Sequence, residues 1–338
     1  MRRQFNLKDF LINNALVLVV LVMVIYTGFI ADGFMTFGNL NNILSNVSVR
    51  YIIALGVSGI LIIRGTDLSA GRIVGISSVV AGSLLQVQGA SGKLFPNLAT
   101  QNVVVALLAA VIVAMIFGIL NGLIVSLLHV PAFIATLGMQ ITIYGLNLLL
   151  TKSRPIGSFT PATGDKTIFI RIGTEGITLF GGLRIPYLFF FALVIAIFMY
   201  VLYNHTKHGK YMYAIGGNEV AAEVSGVNTV RTKILIFTLG SILYGIAGFL
   251  MSAKTGVTTV NMGQGYELEA IASSTIGGVS TAGGVGTVQG VLLGVLTFEM
   301  LKTVLQFLKV NVNMTYVVQG IVIIVAVALD VRKTLTKK

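Results

Sequence analysis

The sequence predicts an all-α polytopic integral membrane protein of about ten transmembrane helices, and three observations carry that prediction. Of the 338 residues, 55% are apolar and only 10% are charged, with a mean hydropathy of +0.93. Soluble domains are about one quarter charged. Apolar runs of spanning length follow one another along the whole chain, and the basic residues sit between them and at both tails.

The first run, Leu11–Ala31, follows a basic stretch (Arg2, Arg3, Lys8) and has no clear small-x-small cleavage site, so it reads as an uncleaved span. Val47–Ile63, Ala70–Val87, Asn102–Leu128, Ala132–Leu150, Pro186–Asn204, Lys233–Ala253, Gly286–Leu308 and Thr315–Val331 come next. Each is long enough to cross a hydrocarbon core of about 30 Å as a helix, several of them with tilt. Those are nine. The odd element is 267–282, E-L-E-A-I-A-S-S-T-I-G-G-V-S-T-A, which is short, polar-flecked and Gly-ended.

Charge decides how to count it. Basic residues crowd the N-terminus, the loop at 205–233 (Lys207, Lys210, Arg231, Lys233) and the C-terminus (Arg332, Lys333, Lys337, Lys338). The positive-inside rule puts all three in the cytoplasm, which requires an even number of crossings. Counting 267–282 as a short span gives ten, and a re-entrant segment is the alternative. The loop 151–185 then faces the exterior, and its basic residues (Lys152, Arg154, Lys166, Arg171, Arg184) carry little topological weight in so long a connection. The whole of 1–338 reads as one membrane domain with a cytoplasmic loop at 205–232.

Several function classes drop out. The net charge of +12 is dispersed over loops and tails, not gathered into a phosphate-binding stripe, so no nucleic-acid partner is expected. The surrounding partner is lipid. Without cysteine there is no thiolate site or disulfide, and the three histidines (His129, His205, His208) form no ligand set, so no metal is expected. No G-x-x-x-x-G-K-[ST] occurs, and the Gly-rich run at 277–286 has neither the lysine nor the preceding strand of a phosphate loop. No cofactor is expected in this chain.

The polar interruption at 213–228, Y-A-I-G-G-N-E-V-A-A-E-V-S-G-V-N, is the sharpest local signal. Asn218 suits an N-cap, Glu219 follows in the first turn where the helix dipole favours an anion, and Gly226 supplies a left-handed stop. Val220 to Ser225 would be the helix. Ala221 and Ala222 leave it slim enough to enter a groove, and Gly216 and Gly217 would permit a sharp entry. Connections between packed helices usually take two to eight residues. This one takes nearly thirty, which favours docking of a partner over a plain connector.

The string Gly216–Val227, G-G-N-E-V-A-A-E-V-S-G-V, resembles the cytoplasmic loop of sugar-type ABC-transporter permeases, the class related to the ribose permease. Gly65–Gly71 (G-T-D-L-S-A-G) and Gly277–Thr287 (G-G-V-S-T-A-G-G-V-G-T) agree and extend the resemblance over nearly the full chain. Within that family, G-T-D-L-S-A-G-R, the Y-E-L-E-A-I-A run from Tyr266 and the C-terminal A-V-A-L-D are most similar to galactose/methyl-galactoside importers. The resemblance implies a bacterial inner-membrane subunit that breaks no bond. It implies two copies forming the pathway, a cytoplasmic ATPase with two fused cassettes that holds ATP and Mg, and an external sugar-binding protein. The sugar would be galactose or methyl galactoside, with ribose or xylose as alternatives. Coupling to the ATPase would fall to Gly216, Gly217, Asn218, Glu219, Ala221, Ala222, Ser225 and Gly226.

Polar residues inside the apolar runs are the remaining candidates. Asp67 can cap a helix starting near Leu68, with Arg64 and Arg72 as counter-charges; Gly65, Ser69 and Gly71 complete that turn. Gly277, Gly278, Gly283 and Gly284 form a second structural motif. A charge at mid-membrane costs about 2.5–3.5 kcal/mol on insertion scales, so it faces the protein interior or water. Glu299 lies near the middle of its span, and Lys302, three residues on, shares its face and can pair with it. Glu267, Glu269 and Glu299, with the amides Asn121, Gln140 and Asn147, are the candidates for a sugar path. Phe117–Gly122 and Gly240–Gly248 read as helix-packing faces. Hydropathy alone leaves room for a proton-coupled transporter using Glu299 or Glu267; an intramembrane enzyme lacks any catalytic constellation.

Overall fold

The computed structural model describes residues 15–90, 92–160, 167–179 and 182–335. Thirteen helices and one antiparallel pair of three-residue strands occur among them. In chain order these are α1 (Ala15–Ile30), α2 (Phe37–Ile62), α3 (Ala70–Leu85), α4 (Val103–Leu127), α5 (Ala132–Thr151), α6 (Ile168–Thr174), β1 (Gly176–Thr178) and β2 (Arg184–Pro186). They continue with α7 (Tyr187–His205), α8 (Lys207–Gly217), α9 (Glu219–Val224), α10 (Thr229–Thr255), α11 (Tyr266–Ile276), α12 (Val288–Phe307) and α13 (Val312–Leu335). The basic residues Arg2, Arg3, Lys8, Lys166, Lys337 and Lys338 lie outside the described residues, as does the start of the first expected span.

Seven helices, α2, α4, α5, α7, α10, α12 and α13, are long and apolar enough to cross a membrane. All-round apolar sequences leave them without the amphipathic stripe of a soluble helix. Small residues decide which faces meet. On α4 and α10, a Cβ at Gly118 would come within 2.6 Å of the Ser241 Cβ, and one at Gly122 within 2.7 Å of the Ile234 backbone. The packing faces expected at Phe117–Gly122 and Gly240–Gly248 are thus where two backbones approach closely. Deep in the bundle α10 packs on α2, α3 and α4, and Tyr244, Phe249 and Leu250 are buried there.

Two segments are broken. The 16 residues of α3 reach about 24 Å and the 11 residues of α11 about 16 Å, short of a core about 30 Å thick. The chain enters α3 through an irregular stretch, 63–69, and enters α11 through another, 257–265. Thr258 is bonded to Ile156 in both directions, N–H to O 2.7 and 2.8 Å, beside the 151–186 connection. At the other end, the Gly284 N–H donates to the Ile62 carbonyl at 2.8 Å, beside α8. The segment 257–287 therefore passes from one face of the bundle to the other. The helical part of the expected short span is only Tyr266–Ile276; the Gly-rich remainder is a turn, with positive φ at Gly278, Gly283 and Gly284.

Both long connections hold more structure than the sequence predicts. In 151–186, α6 and the β1–β2 hairpin (Gly176 opposite Pro186, Thr178 opposite Arg184) lie over the end of the bundle. There Phe159, Phe169 and Phe249 stack edge-to-face at centroid distances of 5.3 and 5.2 Å. In 205–232, α8 precedes α9, capped by Thr206, whose hydroxyl accepts from the Gly209 N–H at 3.1 Å.

Candidate functional site

The capped polar helix forms as its residues dictate. The Asn218 side chain accepts the Ala221 N–H at 3.1 Å, Glu219 sits in the first turn, and Gly226 follows at φ +87°. Glu219 also takes an ion pair from Lys233 Nζ at 2.5 Å, which ties α9 to the start of α10. The Ser225 hydroxyl donates to the Ala221 carbonyl at 2.7 Å and closes the last turn. The helix runs Glu219–Val224, one residue earlier at each end than expected.

Its faces are not those the alanines suggested. Ala222 is 5% exposed and roots the helix on the protein, whereas Val220 and Val224 are 70% and 84% exposed. Ala221 lies on the outward side as well. Next to α9 is an open groove of about 500 Å³ lined by residues that include Glu223, Val227, Asn228, Arg231 and Ile234.

Gly216 and Gly217 are the last residues of α8, not a sharp bend; the chain turns at Asn218, φ −156° and ψ 108°. Gly216 is needed for contact. A Cβ there would lie 1.8 Å from the Ile62 carbonyl oxygen and 2.5 Å from the Gly284 nitrogen, whereas one at Gly217 meets nothing within 4 Å. The Arg64 guanidinium donates to the Gly216 and Gly217 carbonyls at 2.8 and 2.6 Å and so satisfies the end of α8. The Tyr213 hydroxyl donates to the Gly286 carbonyl at 2.7 Å. The Gly216 and Gly277–Thr287 strings, far apart in sequence, thus converge on the end of α2 at Ile62 and Arg64, just before the Gly65–Gly71 string.

Arg64 is accordingly not a counter-charge to Asp67, and neither is Arg72, which stacks on Tyr144 at 4.3 Å and donates to the Val260 carbonyl at 3.2 Å. Asp67 is fully buried. Its Oδ1 accepts the Ser69 N–H at 2.9 Å and the Ser69 hydroxyl at 2.6 Å, which forms a turn that starts α3 at Ala70. Asn121 donates to the Ser69 Oγ at 2.9 Å, and the Thr136 hydroxyl bonds to Thr66 and Leu68 on the same strand of chain. Asn121 therefore holds a turn against α4 and faces no open path. Gly71 must be glycine: a Cβ would lie 2.1 Å from Glu267 Oε2 and 2.2 Å from the Gly263 carbonyl. Gly277 likewise lets α12 in close, since a Cβ would be 2.1 Å from the Gly290 carbonyl.

Glu299 does not pair with Lys302. Its Oε2 meets Arg50 Nη1 at 2.8 Å and its Oε1 accepts the Asn46 amide at 2.6 Å. Lys302 instead reaches Glu269 Oε1 at 2.8 Å, and Arg50 Nε reaches Glu269 Oε2 at 3.0 Å. Lys254 Nζ donates to the side-chain oxygen Oδ1 of Asn46, and Arg50 lies 5.3 Å from the Tyr266 ring centre. The sequence reading missed Arg50, Asn46 and Lys254. Arg50 was visible as a lone charge in an apolar run, but its carboxylate partners are more than 200 residues away.

Glu267 stands apart from that network. It is 5% exposed at the start of α11, and its Oε1 accepts the Gln140 amide at 3.5 Å. Its Oε2 is sealed from solvent against Gly71 and has no hydrogen-bond partner among the described residues. Asn147, two turns beyond Gln140 along α5, is buried, and its Oδ1 is likewise without a partner among the described residues. Among the described residues no three His, Asp or Glu side chains are placed to hold a metal ion.

Known proteins place this architecture. The family described as the permease component of the branched-chain amino acid transport system matches residues 39–327. The galactose/methyl galactoside import permease of Escherichia coli (strain K12) is 41% identical over 98% of this chain and 99% of its own. The permease of the same description from Haemophilus influenzae (strain ATCC 51907 / DSM 11121 / KW20 / Rd) is 39% identical, over 98% and 97%. The ribose import permease of Escherichia coli (strain K12) is 30% identical, over 98% and 97%. No solved structure matches the chain. Broken crossings, a capped helix projecting from one face and this likeness over nearly the whole length agree: the chain belongs to that permease family and is a membrane transport subunit, not an enzyme.

Proposed function

We propose that this chain is the permease of an ATP-driven monosaccharide importer, with galactose or methyl galactoside as cargo. The two relatives of highest identity quoted above carry that description, and ribose, the cargo in the name of the third, is the alternative. Two copies enclose the path, a cytoplasmic ATPase with two fused cassettes binds ATP and Mg, and an external binding protein delivers the sugar. The chain, one domain over 1–338, sits in the bacterial inner membrane with both termini and the 205–232 loop in the cytoplasm. Lys207, Lys210, Arg231 and Lys233 beside α9 support that orientation.

The observation that carries the reading is α9 itself. A six-residue helix is too short to be stable alone. Here Asn218, Ala222 and the Glu219–Lys233 pair hold it, and it presents two exposed valines one turn apart. Exposed apolar side chains at i and i+4 on a rigidly held helix are the arrangement by which a helix fills a partner's groove. Behind it, Gly216, Arg64 and Gly283 connect α8 to the ends of α2 and α12, so a push on α9 reaches the broken segments directly.

Val224→Asp puts a charge at the most exposed apolar position of α9 and should abolish sugar-stimulated ATPase and uptake, with membrane insertion and thermal midpoint unchanged. Ala222→Glu is the wrong test, because it drives a carboxylate into the root of the helix and unfolds the site. Normal uptake by the Val224→Asp transporter would sink the coupling assignment.

A further inference from the structure

We propose that Asp330 is a positioning residue for transport: it fastens the last helix, α13, to the Gly-rich turn, so that a push received by α9 moves α13 together with that turn. The inference rests on the reading of the chain as an ATP-driven permease and names a further element in its drive. In the sequence, Asp330 is simply the last residue of the A-V-A-L-D string.

The turn is held at two places. At Gly283 and Gly284 it presses on the ends of α2 and α8. The Gly284 N–H donates to the Ile62 carbonyl at 2.8 Å, and a Cβ at Gly283 would run into the Arg64 side chain and lie 2.7 Å from the Gly216 carbonyl oxygen. At Ser280 and Thr281 the turn is held by α13. A single carboxylate oxygen, Asp330 Oδ2, accepts the Thr281 N–H at 2.9 Å, the Thr281 hydroxyl at 2.9 Å and the Ser280 hydroxyl at 3.4 Å. The Ser280 Oγ in turn accepts the Ala282 N–H at 3.3 Å, and the Ser280 carbonyl accepts the Gly283 N–H at 3.1 Å. Those internal bonds brace the short stretch between the two holds, so a displacement at Gly283 is passed on to Thr281.

Packing alone ties α13 down poorly at this end. The helix lies on α11 and α12, and Val318 and Val322 rest against Val20, Leu301 and Leu305. Val317, Ile321 and Ile324 face outward, 51%, 56% and 69% exposed. Asp330 comes about 12 Å beyond Val322 along the helix, at the end of the bundle where α8 and α9 sit. Apolar contact between helices in lipid has no hydrophobic drive behind it. Hydrogen bonds to a carboxylate are about twice as strong as neutral ones and fix a direction. Contiguous contacts of this kind are what carries coupling between distant sites.

The test is the amount of sugar moved per ATP hydrolysed in vesicles carrying the complete transporter, a ratio that a loss of folded protein leaves unchanged. The sugar is labelled galactose or ribose, whichever wild type imports. Asp330→Ala should lower the ratio about tenfold, the scale of losing hydrogen bonds to a charged group, while ATP hydrolysis continues. Asp330→Asn keeps an acceptor oxygen and should restore most of the ratio. Thr281→Val removes one donor and should lower it less; added to Asp330→Ala it should lower it no further, because both act through one contact. If Asp330→Ala does not assemble, Ser280→Ala with Thr281→Val removes both hydroxyl donors with α13 unaltered and should lower the ratio in its place. An unchanged ratio overturns the proposal. So does an equal fall in uptake and ATP hydrolysis, which would make Asp330 a folding residue alone. If wild type moves no sugar with ATP, the permease reading falls and this one with it. If wild type does so and the variants match its ratio, this proposal alone falls.

Discussion

Gly216 and Gly217 are identical in sequence and opposite in consequence. Space for a Cβ is absent at the first, 1.8 Å from a backbone carbonyl, and open at the second. Gly217→Ala should therefore be tolerated or gain about 0.5–1 kcal/mol from helix propensity. Gly216→Ala should separate α8 from Ile62 and Gly284 and lower the thermal midpoint by several degrees, as scanning calorimetry or a fluorescence melt in detergent would read. Equal midpoints for the two variants would contradict this packing. A single sequence carries no such distinction, because propensity depends on the residue alone and the obstacle is a carbonyl more than 150 residues away. The same limit applies to α9. Its cap and stop were legible from Asn218 and Gly226, since capping is local chemistry. Which of Ala221 and Ala222 faces inward was not, because tertiary packing decides it. The intramembrane charges were legible as costly groups that need partners, yet Glu299 found Arg50 and not the neighbouring Lys302.

Helices carried the prediction well where they were long and apolar. Each of the nine apolar runs overlaps one helix, and α2 begins ten residues before its run, at Phe37; about twenty apolar residues in lipid have no other way to satisfy their backbone. The two broken elements, α3 and α11, were the harder ones. Polar and glycine residues ended their apolar patterns early, and that interruption is the signature of a functional break in a membrane helix. What holds α11 in place is the ion network joining it to α2 and α12 through Arg50, Glu269, Glu299 and Lys302. Removing one partner from a buried network leaves uncompensated charge and costs about 3–5 kcal/mol. Arg50→Met exposes two carboxylates to that penalty, so it should lose most of the folded protein recovered after detergent extraction. Glu267→Gln, outside the network, should leave the extraction yield unchanged. Equal yields for wild type and Arg50→Met would remove the network from the account of how α11 is held.

At the scale of the whole molecule, the bundle has two faces with different work. One carries α6 and the β hairpin. The other carries α8, α9 and the Gly-rich turn, and there two of the family strings meet the end of α2 at Ile62, Gly216 and Gly284. That convergence makes a path from an outside push to the broken crossings. It argues for a chain driven by a partner and against one driven by protonation of its own carboxylates. The measurement that separates the two is uptake of labelled galactose into proteoliposomes holding the chain with and without its ATPase and binding protein. The account predicts accumulation only with both partners and ATP, and none from a pH gradient alone. Uptake driven by the pH gradient in the absence of the ATPase would contradict it.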